Sequence, residues 1–142
     1  MVKRAAQCAC GRLQVSVENE PILVAACHCD FCQKRTGSVF YVGAYFIRGA
    51  GIDIRGEPKI YNGFEIDGVG NSRGYEISYN FCPTCGSTVF HTVKGQPTMG
   101  IAVGSFVDPK FSAPTVELNV GMRHHWVPPI LAAEQFETFA DE

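Results

Sequence analysis

The 142-residue sequence lacks several features that would assign it to a common functional class. No apolar run approaches the roughly 18 residues that a membrane-spanning helix needs. The sequence starts with the charged residues Lys3 and Arg4 within positions 1–4, but no apolar stretch follows them, so we do not expect a secretory signal peptide. These absences predict a cytoplasmic protein with no membrane partner.

Charge is scarce as well. Charged residues make up 18% of the chain, below the roughly 25% of an average domain. The formal net charge is −2, whereas a nucleic-acid-binding surface needs a basic face, so we expect no nucleic-acid partner. The 46% of hydrophobic residues is enough to build a core, and the chain length suits one domain. We therefore expect a single domain over residues 1–142.

Residue patterning predicts strands along most of the chain. Alternating apolar residues between positions 13 and 17 are typical of a half-buried strand. Further strands are predicted at 22–27, 38–47, 49–56, 59–61, 75–81, 88–93, 98–106 and 116–120. Helices are predicted at 30–36, where Gly37 is a stop signal, and at 130–139, and glycine-rich 63–74 is predicted to be a loop. This pattern predicts a mainly β fold of two or three packed antiparallel sheets with short helices.

Cysteine, by contrast, is abundant and clustered. The seven cysteines are Cys8 and Cys10, then Cys27, Cys29 and Cys32, then Cys82 and Cys85. Seven cysteines cannot all pair within one chain, and disulfides are rare in the cytosol. Clusters with one or two residues between cysteines can hold thiolates about 3.8 Å apart around tetrahedral zinc. The spacing therefore predicts zinc sites, and Gly86 is expected to leave the last cluster with a positive φ.

The spacing alone leaves two ways to share the cysteines. In the first partition, the first and last clusters combine into a closed four-thiolate site, and the middle cluster forms an open three-thiolate site. In the second, the two C-x-x-C pairs form a zinc ribbon, which leaves over Cys8, Cys10 and Cys27. The first partition splits no cluster and uses all seven cysteines, so the pattern favours it mildly.

The cysteines lie in three motifs, with two further stretches downstream. These are Cys8-x-Cys10-Gly11, Cys27-His28-Cys29-x-x-Cys32 running into Thr36-Gly37-Ser38, Phe81-Cys82-x-x-Cys85-Gly86-Ser87, residues 103–109 and Trp126. In these residues the chain resembles the glutathione-dependent formaldehyde-activating enzyme family, which includes the centromere protein V domain. The resemblance spans about residues 8–126.

The resemblance implies an Mss4-like fold and selects the first partition. It implies a structural zinc on Cys8, Cys10, Cys82 and Cys85. It also implies a second zinc, at the active site, on Cys27, Cys29 and Cys32. The implied activity is that of a carbon–sulfur lyase, an S-(hydroxymethyl)glutathione synthase that condenses formaldehyde with glutathione or acts on a related thiol adduct.

Several other side chains are candidates for the site. Three ligands leave a fourth position for the glutathione sulfur, and the ion held by three is expected to be the more labile. Lys34 and Arg35 follow the middle cluster and could meet a glutathione carboxylate, the alternative being a solvated helix face. His28 is expected to point away from the metal, and His91 to be a hydrogen-bonded strand residue. An exposed loop is expected for the histidines at 124–125.

Other functions stay open at this point. Because thiols add to formaldehyde without an enzyme, the chain could be a non-catalytic, zinc-stabilised thiol-binding or interaction module. Another lyase or transferase that acts on a different thiol adduct could use the same open zinc. A methionine sulfoxide reductase is disfavoured, because no cysteine lies outside the clusters to serve as a separate nucleophile.

Overall fold

The computed structural model describes residues 3–66 and 72–138. In chain order, the elements of this part are β1 (Arg4–Gln7), β2 (Gln14–Val17), β3 (Leu23–Cys27), α1 (Asp30–Thr36), β4 (Tyr41–Ile47), β5 (Ile52–Arg55), β6 (Lys59–Ile66), β7 (Ser72–Phe81), β8 (Thr88–Val93), β9 (Thr98–Ala102), β10 (Val116–Leu118) and β11 (Glu134–Gln135). Two 3-10 turns, Val103–Ser105 and Val120–Met122, follow β9 and β10.

The strands form two sheets. The smaller sheet has the order β1-β2-β5, and the larger one has the order β11-β10-β3-β4-β9-β8-β7-β6. Neighbouring strands are antiparallel except at one edge, where β10 runs parallel to both β3 and β11. The mainly β prediction with packed sheets and few short helices is confirmed, and it agrees with an Mss4-like fold. The parallel edge was not predicted, because it arises from the long connection 103–115, which returns the chain to β3.

The core lies between the two sheets. Val15 and Val17 of β2 are buried and Gln14 is exposed, as the alternating pattern predicts. Phe46 of β4 and Ile101 of β9 belong to the same apolar cluster from the larger sheet and are also inaccessible to solvent. Burial of these side chains joins the sheets, because each contributes roughly 1.5–3 kcal/mol of apolar transfer free energy.

The helix predictions have opposite outcomes. α1 is confirmed, and Gly37 ends it with φ 75° while its amide donates to Gln33 O at 2.8 Å. The helix predicted at 130–139 is wrong, because residues 130–138 form turns and the short strand β11. Two prolines precede that segment, and Ala132 has φ 66°, which a right-handed helix does not allow. None of the helices in the described ranges is long and apolar enough to cross a membrane.

The glycine-rich segment predicted as a loop is mostly strand where it is described. β6 extends to Ile66 and β7 begins at Ser72. Residues 67–71 lie outside the described residues. The strand predicted at 98–106 ends at Ala102. The strand β1 was not predicted at all. β1 has only four residues, so its alternation of buried and exposed side chains is too short to be recognised in the sequence.

Close packing at one glycine makes a test of this arrangement. Gly100 of β9 pairs with His91 of β8, and a Cβ at Gly100 would lie 2.4 Å from His91 Cε1. The imidazole cannot easily move, because the rings of Tyr41, Tyr45 and Tyr79 surround it at centroid distances of 5.6–5.8 Å. Gly100 therefore provides the space that the buried ring occupies.

We expect Gly100→Ala to lower the free energy of unfolding by about 1–3 kcal/mol, the usual cost of overpacking a core. Gly104→Ala is the matched control, because apart from its chain neighbours no atom of the described residues lies within 4 Å of a Cβ there. The control is expected to stay within about 0.5 kcal/mol of the parent. Denaturant unfolding measures both, and equal losses in the two variants would contradict the packing described here.

Candidate metal centres and the adjoining cavity

Four cysteine sulfurs from two distant segments of the sequence, with Cys10 and Cys82 separated by 72 positions, meet in one cluster. The ligand atoms of Cys8, Cys10, Cys82 and Cys85 all lie within 4.8 Å of one another. Cys10 Sγ is 3.7 Å from Cys8 Sγ and 3.6 Å from Cys82 Sγ. These separations are close to those of thiolates around one tetrahedral ion.

Two tight turns present these sulfurs. The segment after Cys8 turns back on itself, because the Gly11 amide donates to Cys8 O at 3.0 Å and the Leu13 amide donates to Cys8 Sγ at 3.2 Å. In the second turn the Gly86 amide donates to Cys82 O at 2.7 Å. Gly86 has φ 79°, which confirms the predicted positive φ. The turns hold the backbone so that both pairs of sulfurs face each other.

The middle cluster is built from the junction between β3 and α1. Cys27 is the last residue of β3, Cys29 caps the helix, and Cys32 lies in its first turn. The Cys32 amide donates to Cys29 Sγ at 3.2 Å. The three sulfurs lie within 4.8 Å of one another, so the described residues group the seven cysteines as in the first partition.

The three thiols of the middle cluster cannot all ionise without a counter-charge. Hydrogen bonds from Cys29 and then Cys32 lower the pKa of Cys27 to about 3. The same contact with Cys27 raises the pKa of Cys29 to about 12, and it also raises the pKa of Cys32. Ionisation of one of these thiols therefore disfavours ionisation of the other two, and a bound cation would relieve the repulsion among the three thiolates. Both clusters could hold a metal ion, and their all-sulfur donor sets are compatible with zinc.

A cavity opens beside the middle cluster. All three of its cysteines line this cavity. Much of the remaining wall is aromatic, with one cation, and comes from α1, β4, β7 and β8. These residues are Phe31, Arg35, Tyr41, Tyr45, Tyr79 and His91. A small molecule in the cavity would therefore meet sulfur, aromatic rings and a guanidinium group.

The structure separates the two predicted carboxylate-binding residues. Arg35 faces the cavity, with its guanidinium carbon 4.2 Å from the ring centroid of Tyr79 and 4.7 Å from that of Tyr41. Its Nε is buried without a hydrogen-bond partner among the described residues. Lys34 does not line the cavity. It is exposed and pairs with Asp30 one helical turn earlier.

Two residues of the cavity wall form a hydrogen-bonded pair. Tyr41 lies directly opposite Cys27 in the pairing of β3 with β4, and its hydroxyl is 3.3 Å from His91 Nδ1. Burial, and then the nearby Arg35, lower the pKa of His91 to about 3, so the imidazole is neutral. Sequence reasoning missed Tyr41, because its position beside Cys27 depends on strand register. It placed His91 as a hydrogen-bonded strand residue, which the structure shows.

Further polar residues support the middle cluster from behind. His28 is completely buried, and its Nε2 donates to Glu117 Oε1 at 2.7 Å. Asn119 Nδ2 donates to Cys27 Sγ at 3.4 Å. Sequence reasoning missed Glu117 and Asn119, because no motif contains them. The histidines at 124–125 are exposed and do not line the cavity.

Comparisons with known proteins identify a family and a solved structure of similar fold. The family model for the glutathione-dependent formaldehyde-activating enzyme matches residues 3–122. A crystal structure of a Rhodobacter sphaeroides protein, solved as a structural genomics target, is similar to this chain with a TM-score of 0.52. That match has 21% sequence identity and covers 93% of this chain and 98% of the other, and at such identity it shows the fold alone. No curated protein matches the chain.

The neutral state of His91 can be tested directly. We expect its imidazole signals to stay constant from pH 7 to pH 5, because burial disfavours the charged ring and lowers its pKa to about 3. An unfolded histidine binds its proton near pH 6.5, so this residue should make stability fall as the pH drops from about 6.5 toward 3. Long-range ¹H–¹⁵N NMR spectra measure the titration, with His91→Gln to assign the signals. A midpoint near 6.5 would contradict the buried environment.

Proposed function

The chain belongs to the glutathione-dependent formaldehyde-activating enzyme family, and from this premise we propose that it is a zinc-dependent carbon–sulfur lyase. Its proposed reaction condenses glutathione with formaldehyde to give S-(hydroxymethyl)glutathione, or acts on a related thiol adduct. The observation that supports this proposal is the convergence of three cysteine sulfurs beside a cavity that also contains Arg35.

The two clusters have different proposed roles. Cys8, Cys10, Cys82 and Cys85 would hold a structural zinc, which ties the N-terminal turn to the turn between β7 and β8. Structural zinc contributes roughly 10–16 kcal/mol of apparent binding free energy at pH 7, as much as the whole net stability of many domains. Loss of the ion at this cluster should therefore unfold the protein.

The middle cluster would hold the second zinc through Cys27, Cys29 and Cys32. Zinc on three thiolates leaves one exchangeable coordination position, which would keep the glutathione sulfur ionised near neutral pH. The chain contributes the surroundings. Aromatic rings form much of the cavity wall, and Arg35 is available for a glutathione carboxylate, because its Nε has no hydrogen-bond partner in the described part of the chain.

Tyr41 has the chemistry to assist the addition. When the sulfur attacks the aldehyde carbon, a C–S bond forms and the π electrons of the C=O bond move to the oxygen. A hydroxyl donor aimed at that oxygen lowers the barrier, since the hydrogen bond strengthens as the charge develops. Tyr41 lines the cavity, and its hydroxyl lies 3.3 Å from His91 Nδ1. Solvent water would supply the proton that completes the product hydroxyl.

Metal content and rate test the proposal together. We expect two zinc ions per chain, one of which mild chelation removes without unfolding. Cys32→Ser should lose that ion and the catalysed rate while keeping the fold, whereas Cys82→Ser should lose the fold. Elemental analysis, circular dichroism and NMR measurement of adduct formation above the uncatalysed background report these quantities. One tightly held ion, with a rate equal to background, would instead support a non-catalytic thiol-binding module.

The two basic residues of α1 make a matched pair for substrate binding. Arg35→Gln should raise KM for glutathione roughly 10- to 100-fold, because a hydrogen bond between charged groups is worth about 1.5–3 kcal/mol. Lys34→Gln should change KM by less than about threefold, because Lys34 is exposed and outside the cavity. Initial-rate kinetics with varied glutathione distinguish them. Equal effects of the two substitutions would show that Arg35 does not bind the carboxylate.

A further inference from the structure

Three consecutive residues support the middle cluster from one side. β10 runs parallel to β3, with Leu118 opposite Cys27. The His28 amide donates to Leu118 O at 3.0 Å, so the backbone between Cys27 and Cys29 is attached to β10. The residues on either side of Leu118, Glu117 and Asn119, contact the same segment through their side chains.

Glu117 is a completely buried carboxylate with every oxygen in use. Oε1 accepts from His28 Nε2 at 2.7 Å, and Oε2 accepts from the Ile130 amide at 2.7 Å and from Gln135 Nε2 at 2.6 Å. The guanidinium of Arg123 lies 3.3 Å from Oε2. Burial raises the pKa of Glu117, but these donors outweigh it and the pKa is lowered, so the group is an anion. His28 is thus held at its ring and at its amide.

Asn119 contacts a cluster sulfur directly. It is completely buried and adopts φ 57°, a left-handed conformation that asparagine tolerates better than most residues. Its backbone amide donates to Thr138 O at 2.7 Å, which fixes the backbone, and its side-chain Nδ2 donates to Cys27 Sγ at 3.4 Å. A donor on a thiolate both orients the sulfur and withdraws part of its charge.

Burial of the Glu117 carboxylate costs desolvation free energy, which indicates a role for this residue other than packing. Replacing a buried ionic group by apolar side chains of similar volume is often neutral or stabilising, so stability alone does not explain Glu117. Its partner His28 is the residue between two cluster cysteines, and Asn119 touches one of them. Residues that hold metal ligands in place typically change metal affinity or activity 10- to 100-fold when they are replaced.

We propose that Glu117 and Asn119 are positioning residues of the three-cysteine site. Glu117 fixes His28, and with it the backbone that presents Cys27 and Cys29. Asn119 fixes the Cys27 sulfur. The inference rests on the proposed function only in requiring that this site binds a metal, and it adds the residues on which that binding depends.

Cobalt titration of the full chain tests the proposal without substrate. The first variant, Glu117→Gln, replaces a carboxylate oxygen by an NH₂ group that faces other hydrogen-bond donors. The second, Asn119→Asp, keeps the side-chain shape and removes the hydrogen-bond donor to Cys27 Sγ. Each should weaken Co²⁺ binding at the three-cysteine site about 10- to 100-fold and leave the four-cysteine site unchanged. In Asn119→Asp the sulfur-to-cobalt charge-transfer band should also shift. Asn80→Asp is the matched control, because Asn80 is buried on β7 and donates to Ser78 O.

The outcomes separate this inference from the proposed function. Equal weakening at both sites, or the same loss in Asn80→Asp, would mean general destabilisation and overturn the positioning roles alone. Unchanged affinity at the three-cysteine site would do the same. A parent protein that takes up a single cobalt ion would overturn both proposals. If Glu117→Gln fails to fold, Asn119→Asp decides the matter, with circular dichroism as the check on folding.

Discussion

Repulsion between like charges on neighbouring sulfurs is the interaction on which the arrangement of this molecule depends. Seven thiols lie in two clusters whose members are within 4.8 Å of one another, and a bound cation would relieve the repulsion among their thiolates. Hydrogen bonds from backbone amides hold the turns and the sulfurs of these clusters in place. Turns that end in glycine hold one cluster, and the junction of a strand with a helix holds the other.

The two clusters differ in what surrounds them, and that difference is the basis for assigning them different roles. The four-cysteine cluster joins two turns and supplies its own complete set of sulfurs. The three-cysteine cluster instead faces a cavity with an aromatic wall and the cation of Arg35, which rests on two tyrosine rings. A guanidinium beside thiolates offsets part of their charge and also offers hydrogen bonds to an anionic ligand. Room for the rings comes from strand positions without side chains, of which Gly100 is the clearest case.

Local features of this protein were predictable from its sequence, whereas long-range ones were not. Cysteine spacing predicted three clusters, since a C-x-x-C turn is a local structure, and Gly37 marked the end of α1. The choice between the two partitions needed the family resemblance, because it depends on which turns meet in space. Tyr41, Glu117 and Asn119 were missed for the same reason, as each reaches the site through the pairing of distant strands. The helix expected near the C-terminus failed because the segment instead pairs its backbone with β10.

The parallel edge has a consequence for how the chain folds. His28 and Glu117 are separated by 89 positions, so their contact closes a long loop. The chain loses conformational entropy on closing this loop before the contact can stabilise it. During synthesis, five cysteines leave the ribosome before either β10 or the last cysteine pair exists. A nascent chain therefore passes through a stage in which Cys8 and Cys10 lie close in sequence to the middle cluster and far from their eventual neighbours. The four-cysteine cluster can therefore form only after Cys82 and Cys85 have been synthesised, and the buried contact of His28 with Glu117 only after β10.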